Sequence, residues 1–140
     1  MSNTLKEFIR LAKTDVARGE GSPDHENPHS YAKLAFHSKG RAVLRRIAKE
    51  MGLQSGTYDI RSNLGGVGVS GEVTLHGEHI YICFSADSAT HQFMYRSCNG
   101  RKDYTGGSNN WMSWEGLNNL PTACGIFRRE ARLGNPQAAL

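Results

Sequence analysis

Apolar and polar positions alternate with two different periods along the chain. Leu5, Phe8, Ile9, Leu11, Ala12 and Val16 recur at largely helical spacing, and Thr4-Leu5-Lys6-Glu7 has the form of a capping box. A helix over 5–18 is expected, closed by Gly19. The stretch 19–30 holds two prolines and no large apolar group before Tyr31, so it reads as a flexible loop. Tyr31 to Phe36 suggests a short helix. From Ser38 to Met51 the stripe Val43, Leu44, Ile47, Ala48 and Met51 predicts a longer one, with Gly52 just past its end.

The period then changes to two. Residues 57–62 alternate, Gly65-Gly66 turns the chain, and Val67, Val69, Val73 and Leu75 read as a second strand bent at Gly71. Ile80 to Phe84 is apolar on both faces, which marks a central strand. Gln92 to Cys98 reads as another strand, followed by the turn signal Asn99-Gly100 and a loop over 105–110. Leu120, Ala123, Cys124, Phe127 and Ala131 then share a helical face, with Pro121 near the start. The expected architecture is α+β: N-terminal helices, a central antiparallel β-sheet and a C-terminal helix, with 1–140 as a single domain. Its parts are a helical segment over 1–52, a sheet with a ligand loop over 56–111, and a helix over 119–133.

Length and composition fit that picture. A chain of 140 residues with 38% hydrophobic residues can fold as one unit. No apolar run approaches the ~20 residues of a membrane span, and the N-terminus lacks the apolar core of a secretory signal. A cytoplasmic protein without membrane contact is expected. The net charge of +4 allows a nucleic-acid partner without favouring one. Eleven of the seventeen cations are Arg, whose planar fork suits phosphate and carboxylate.

Metal and catalytic signatures are sparse. Cys83, Cys98 and Cys124 are widely spaced, which argues against a disulfide framework or zinc knuckle. The six histidines match no zinc-hydrolase or deaminase pattern, and no nucleophile elbow is present. Neither a cofactor nor a metal is expected. General acid–base work by His91, Asp103 or Tyr104 has no positive support in the spacing.

Two stretches stand out. Tyr95 to Trp111, YRSCNGRKDYTGGSNNW, combines Arg96, Arg101 and Lys102 with tyrosines, a tryptophan, glycines and asparagines. Guanidinium grips phosphate, glycine lets backbone amides approach an anion, and ring faces stack bases. The competing reading is an ordinary polar loop. Arg61-Ser62-Asn63-Leu64-Gly65-Gly66 is a second cation with a glycine pair, and turn chemistry is its plainer account. Arg41, Arg45 and Lys49, with Arg46 beside them, share a helix face that is either solvated or laid on a polyanion.

The segments GTYDIRSNLGGVGVSGEVTLHGEHIYICFS and YRSCNGRKDYTGGSNNW resemble the first type of phage Thoeris anti-defence proteins, which sequester cyclic ADP-ribose-type immune signals. The resemblance covers roughly the central 40% of the chain and leaves the N-terminal third unmatched. It implies a non-enzymatic sponge in a phage-infected host cell, assembled as a dimer or larger homo-oligomer. Its ligand would be a cyclic nucleotide signal, cyclic oligonucleotides included. Carried onto this sequence, Arg96, Arg101, Tyr104, Asn109 and Asn110 would line one pocket, Arg128 would close it, and Arg61 with Gly65 and Gly66 would form a second anion site. Two alternatives stand beside it. One is a phage inhibitor of a CRISPR or restriction system, binding nucleic acid or protein. The other is a small phosphodiesterase.

Overall fold

The computed structural model describes residues 3–14, 16, 31–66, 68–86 and 90–134. The 19–30 loop therefore lies outside the described residues. The elements run α1 (Asn3–Ala12), α2 (Tyr31–Met51), β1 (Tyr58–Asn63), β2 (Glu72–Gly77), β3 (Ile80–Phe84), β4 (Gln92–Ser97), β5 (Asn110–Ser113), a 3-10 helix (Trp114–Asn118) and α3 (Leu120–Gly134). The fold is α+β. The five strands form an antiparallel meander in the order β1-β2-β3-β4-β5.

Several elements differ from the periodic reading. α1 ends at Ala12, because the Thr14 amide and hydroxyl both turn back to the Leu11 carbonyl. The two helices expected over 31–51 are one, continuous through Gly40. A Cβ at Gly40 would stand 3.2 Å from the Phe8 ring and 3.3 Å from a Val73 methyl, so this glycine lets α2 approach α1 and β2. α2 ends as anticipated at Gly52. There the Leu53 amide bonds the Ala48 carbonyl and the Gly52 amide bonds the Lys49 carbonyl, the paired bonds of a Schellman motif. Val69 lies in a turn, and β2 begins only at Glu72. β5 and the 3-10 helix have no counterpart in the pattern, because Asn110-Trp111-Met112-Ser113 has no apolar alternation to mark a strand.

Alternation divides the sheet into two unlike faces. Val73 and Leu75 of β2, Ile80, Ile82 and Phe84 of β3, and Phe93 of β4 point to the helices. α2 packs over β1 and β2, α3 over β3 and β4, and α1 over α2 and the 3-10 helix. Trp114 is the hub, with ring centroids of Phe8, Phe84 and Phe93 at 5.5, 5.4 and 5.0 Å. The other face carries Asp59, Arg61, Asn63, Glu72, Thr74, His76, Tyr81, Cys83, Met94, Arg96 and Trp111, by strand parity and register. No helix covers it.

A buried polar lock joins α2 to β1 and to the glycine-rich segment after it. The His37 Nε2 donates to the Ser70 carbonyl at 2.8 Å, which leaves Nδ1 to accept the Ser62 hydroxyl at 2.6 Å. The Lys33 ammonium, also buried, donates to the Gly66 carbonyl at 3.0 Å. Gly71, at φ +76°, presses against the carbonyls of Asn63 and Leu64, where a Cβ would collide.

Two outcomes follow from this packing. Phe8→Ala should cost about 3–5 kcal/mol in denaturant unfolding, the range for emptying a fully buried ring site. Burial, aided by the Lys33 and Arg41 cations, holds His37 below its ordinary pKa of 6.5. The unfolded chain therefore binds more protons than the folded one as pH falls below 6.5, and stability declines there, levelling off below the folded pKa. The thermal midpoint should be lower at pH 5 than at pH 7.5, and His37→Gln should show a smaller difference.

Candidate functional site

The open sheet face is organised by register. Asp59 faces His76, His76 faces Tyr81, and Tyr81 faces Arg96, so these four side chains form a row across β1 to β4. An adjacent row runs Arg61, Thr74, Cys83, Met94 and Trp111.

Arg96 sits beneath the loop that follows β4 and is only 4% exposed. Its guanidinium donates to the carbonyls of Gly106 at 2.7 Å, Ser97 at 3.2 Å and Asp103 at 3.3 Å, and lies 4.4 Å from the Tyr81 ring centroid. The Asp103 carboxylate accepts the Asn99 amide at 2.9 Å and the Thr105 amide at 3.1 Å. These amides, Asn99 foremost, hold Asp103 below its usual carboxylate range. The Gly106-Gly107 pair serves this folding: a Cβ at Gly107 would fall 2.6 Å from the Ser97 carbonyl oxygen, and one at Gly106 would collide with Asp103.

The loop therefore carries Tyr104 out over the sheet. Tyr104 is 60% exposed, and its ring meets that of His76 edge-on at 5.1 Å. The Arg61 guanidinium lies 5.8 Å from the Tyr104 centroid and donates to His76 Nδ1 at 3.0 Å. That bond places the imidazole proton on Nε2, toward the carbonyls of Gly100 and Asp103. Nε2 makes no hydrogen bond of normal length there. Burial lowers the His76 pKa, and the Arg61 and Arg96 cations lower it further, so the ring is neutral. Asp59 stands 3.6 Å from both Arg61 and Arg101.

Arg61, Asn63, Glu72, Thr74, Tyr81 and Tyr104 enclose a cavity of about 280 Å³. Burial pushes the Tyr81 phenol up to about 12 and the Cys83 thiol up to about 12, with the Glu72 carboxylate adding to both. Both are neutral at physiological pH. The lining thus offers one cation, one carboxylate, ring faces and neutral donors. A second cavity of about 290 Å³ lies behind the sheet, among Gly52, Leu53, Gln54, Thr57, Glu78, His79, Ile80 and Ala131. It has no cation in its wall, and the open-face cavity is the better anion site. Among the described residues, no three His, Cys, Asp or Glu side chains are grouped to hold a metal ion, and no helix is long and apolar enough to cross a membrane.

The expected site residues divide sharply. Arg61 and Tyr104 meet at the cavity, and Arg101 joins them through Asp59. Arg96 does not reach it with a free donor edge, because the loop carbonyls occupy the guanidinium. Asn110 has the parity of Tyr95 and points toward the helix side, its amide donating to the Ser108 carbonyl. Asn109 is exposed and lines no described cavity. The Gly65 amide donates to the Asn63 side chain at 3.0 Å and the Gly66 carbonyl receives Lys33, so these groups serve the turn itself. Arg128 lies on the helix side and donates to the Glu50 carbonyl at 2.9 Å, satisfying the end of α2. Glu72, Thr74 and Tyr81 were missed. Their signal was strand parity: each sits on the face that the apolar residues of β2 and β3 leave.

No family model matches the chain, and neither a curated protein nor a solved structure matches it.

Arg96 and Arg101 should respond oppositely to removal. Arg96→Met strands three carbonyls and should cost about 3 kcal/mol or more of stability. Arg101→Met loses a half-exposed ion pair and should stay within about 1 kcal/mol in denaturant unfolding.

Proposed function

We propose that the protein binds and sequesters a small cyclic nucleotide signal on its open sheet face without cleaving it. The Arg61–Tyr104 pair at the cavity mouth carries this reading: a guanidinium beside an exposed ring is the combination that takes a phosphate and a base together. Arg101, one carboxylate away, adds a second cation. The neutral Tyr81, His76 and Cys83 supply contacts and no activated nucleophile. The resemblance to phage anti-defence sponges adds the biological setting, an immune signal of the cyclic ADP-ribose or cyclic oligonucleotide kind in the cytoplasm of an infected host.

The cavity of about 280 Å³ is just below the ~300–1,000 Å³ usual for ligand sites. It holds one base with part of its sugar, and the rest of a cyclic nucleotide lies across the face or against a second copy of the chain. A homo-oligomer with pockets shared between chains fits that shortfall.

A second reading rests on α2. Arg45, Arg46, Lys49 and Glu50 line a shallow cleft of about 680 Å³ on the helix side, far from the candidate site. An inhibitor that lies on nucleic acid would use it, and its affinity would fall steeply with salt.

Calorimetric titration with cyclic ADP-ribose and with cyclic dinucleotides separates these readings. Saturation at a fixed molar ratio is expected, and mass spectrometry of the heat-released ligand should find it intact. Tyr104→Ala and Arg101→Ala should each weaken binding about tenfold, the equivalent of ~1.4 kcal/mol, at unchanged thermal midpoint. Turnover by catalytic amounts of protein, or a cleaved ligand, would refute sequestration.

A further inference from the structure

The cation and the carboxylate of the open-face cavity are held apart. Arg61 pairs in register with Thr74, and Glu72 with Asn63, so Arg61 and Glu72 are diagonal neighbours across β1 and β2. Diagonal neighbours in antiparallel strands sit ~7–8 Å apart. Both line the cavity, with Thr74 between them and the rings of Tyr81 and Tyr104 beside them. Arg61 has partners of its own in His76 and Asp59, and Glu72 is exposed at the start of β2. Neither group is exhausted, since a guanidinium has five donors and a carboxylate about four lone-pair sites.

A ring system bridging the two must present paired acceptors along one edge and paired donors along a neighbouring edge. Guanine does so. Its O6 and N7 are the adjacent acceptors that an arginine fork takes in two bonds. Its N1–H and 2-amino group are adjacent donors, matched to a carboxylate, which only accepts. Adenine offers N7 beside its own amino donor, and turns the N1 lone pair toward the carboxylate.

We propose that this cavity is a guanine-selective base site, with Arg61 reading O6 and N7 and Glu72 reading N1–H and the 2-amino group. The inference rests on nucleotide binding at the open face, and departs from the adenine-containing ligand that the resemblance names. The ring is stacked on Tyr104, and Glu72 is the specificity-determining residue. Thr74 forms the floor.

Titration with GMP, IMP and AMP tests it without any variant. IMP keeps O6, N7 and N1–H and lacks only the 2-amino group. GMP should bind about tenfold more tightly than IMP and more tightly still than AMP. Glu72→Gln, at an exposed position, should cut GMP affinity about tenfold and leave AMP affinity unchanged or improved, with the thermal midpoint retained. Equal affinities for GMP and AMP would overturn the guanine assignment and leave nucleotide binding standing. A GMP preference that survives Glu72→Gln would overturn the role of Glu72. No binding of any of the three, or of the cyclic nucleotides above, would overturn both.

Discussion

The candidate site depends on one buried guanidinium. Arg96 lies under the loop after β4 with no carboxylate in hydrogen-bond contact among the described residues, and a buried cation in that position finds its solvation in neutral groups. It finds three carbonyls and the face of Tyr81. The carbonyls come from the loop itself, so satisfying the charge fixes the loop. Asp103 repeats the logic with opposite sign, collecting the loop's amides. The polar segment between β4 and β5, which would otherwise have many conformations, is thereby given one, and Tyr104 is delivered over His76 and beside Arg61. A preorganised ring of this kind saves the ordering cost that a mobile one would impose on ligand binding.

The rest of the molecule keeps that face open. Among the described residues, α1, α2 and α3 lie on the other side of the sheet, drawn there by the apolar parity of β2, β3 and β4 and by the aromatic cluster at Trp114. The polar parity is left to satisfy itself laterally, through the row Asp59, His76, Tyr81 and Arg96. Trp111 continues the face onto β5 at 56% exposure, an aromatic that no described element covers. The face is therefore chemically mixed: rings for stacking, Arg61 and Arg101 for anions, and Glu72 for donors.

Much of the fold was legible in the sequence because its elements are strongly periodic. β1, β3, β4, α3 and the glycine stop of α2 lie within a residue or so of where the pattern puts them. The errors have physical causes. The polar His37 and Ser38 look like a break between two helices, whereas the helix runs through them, His37 being buried against Ser62 and Ser70. β5 is a strand because β4 offers it a partner, which its own four residues do not announce. The site was legible only in part. Arg96, Gly106 and Gly107 have the composition of a phosphate cradle, yet the same groups equally build a self-satisfied loop, and adjacency along the chain cannot separate the two. The resemblance places Arg128 at the pocket, whereas the open end of α2 has the prior claim on it. Glu72 and Tyr81 were readable from alternation, had the unburied parity of β2 and β3 been followed as closely as the buried one.

The central claim is that the open sheet face receives the ligand. Backbone hydrogen exchange, measured with and without a saturating cyclic nucleotide, addresses it most directly. Slower exchange in 59–63, 72–76 and 99–107, with 41–49 unchanged, is the result expected. Slowing confined to α2, with the loop over Arg96 exchanging as before, would contradict it.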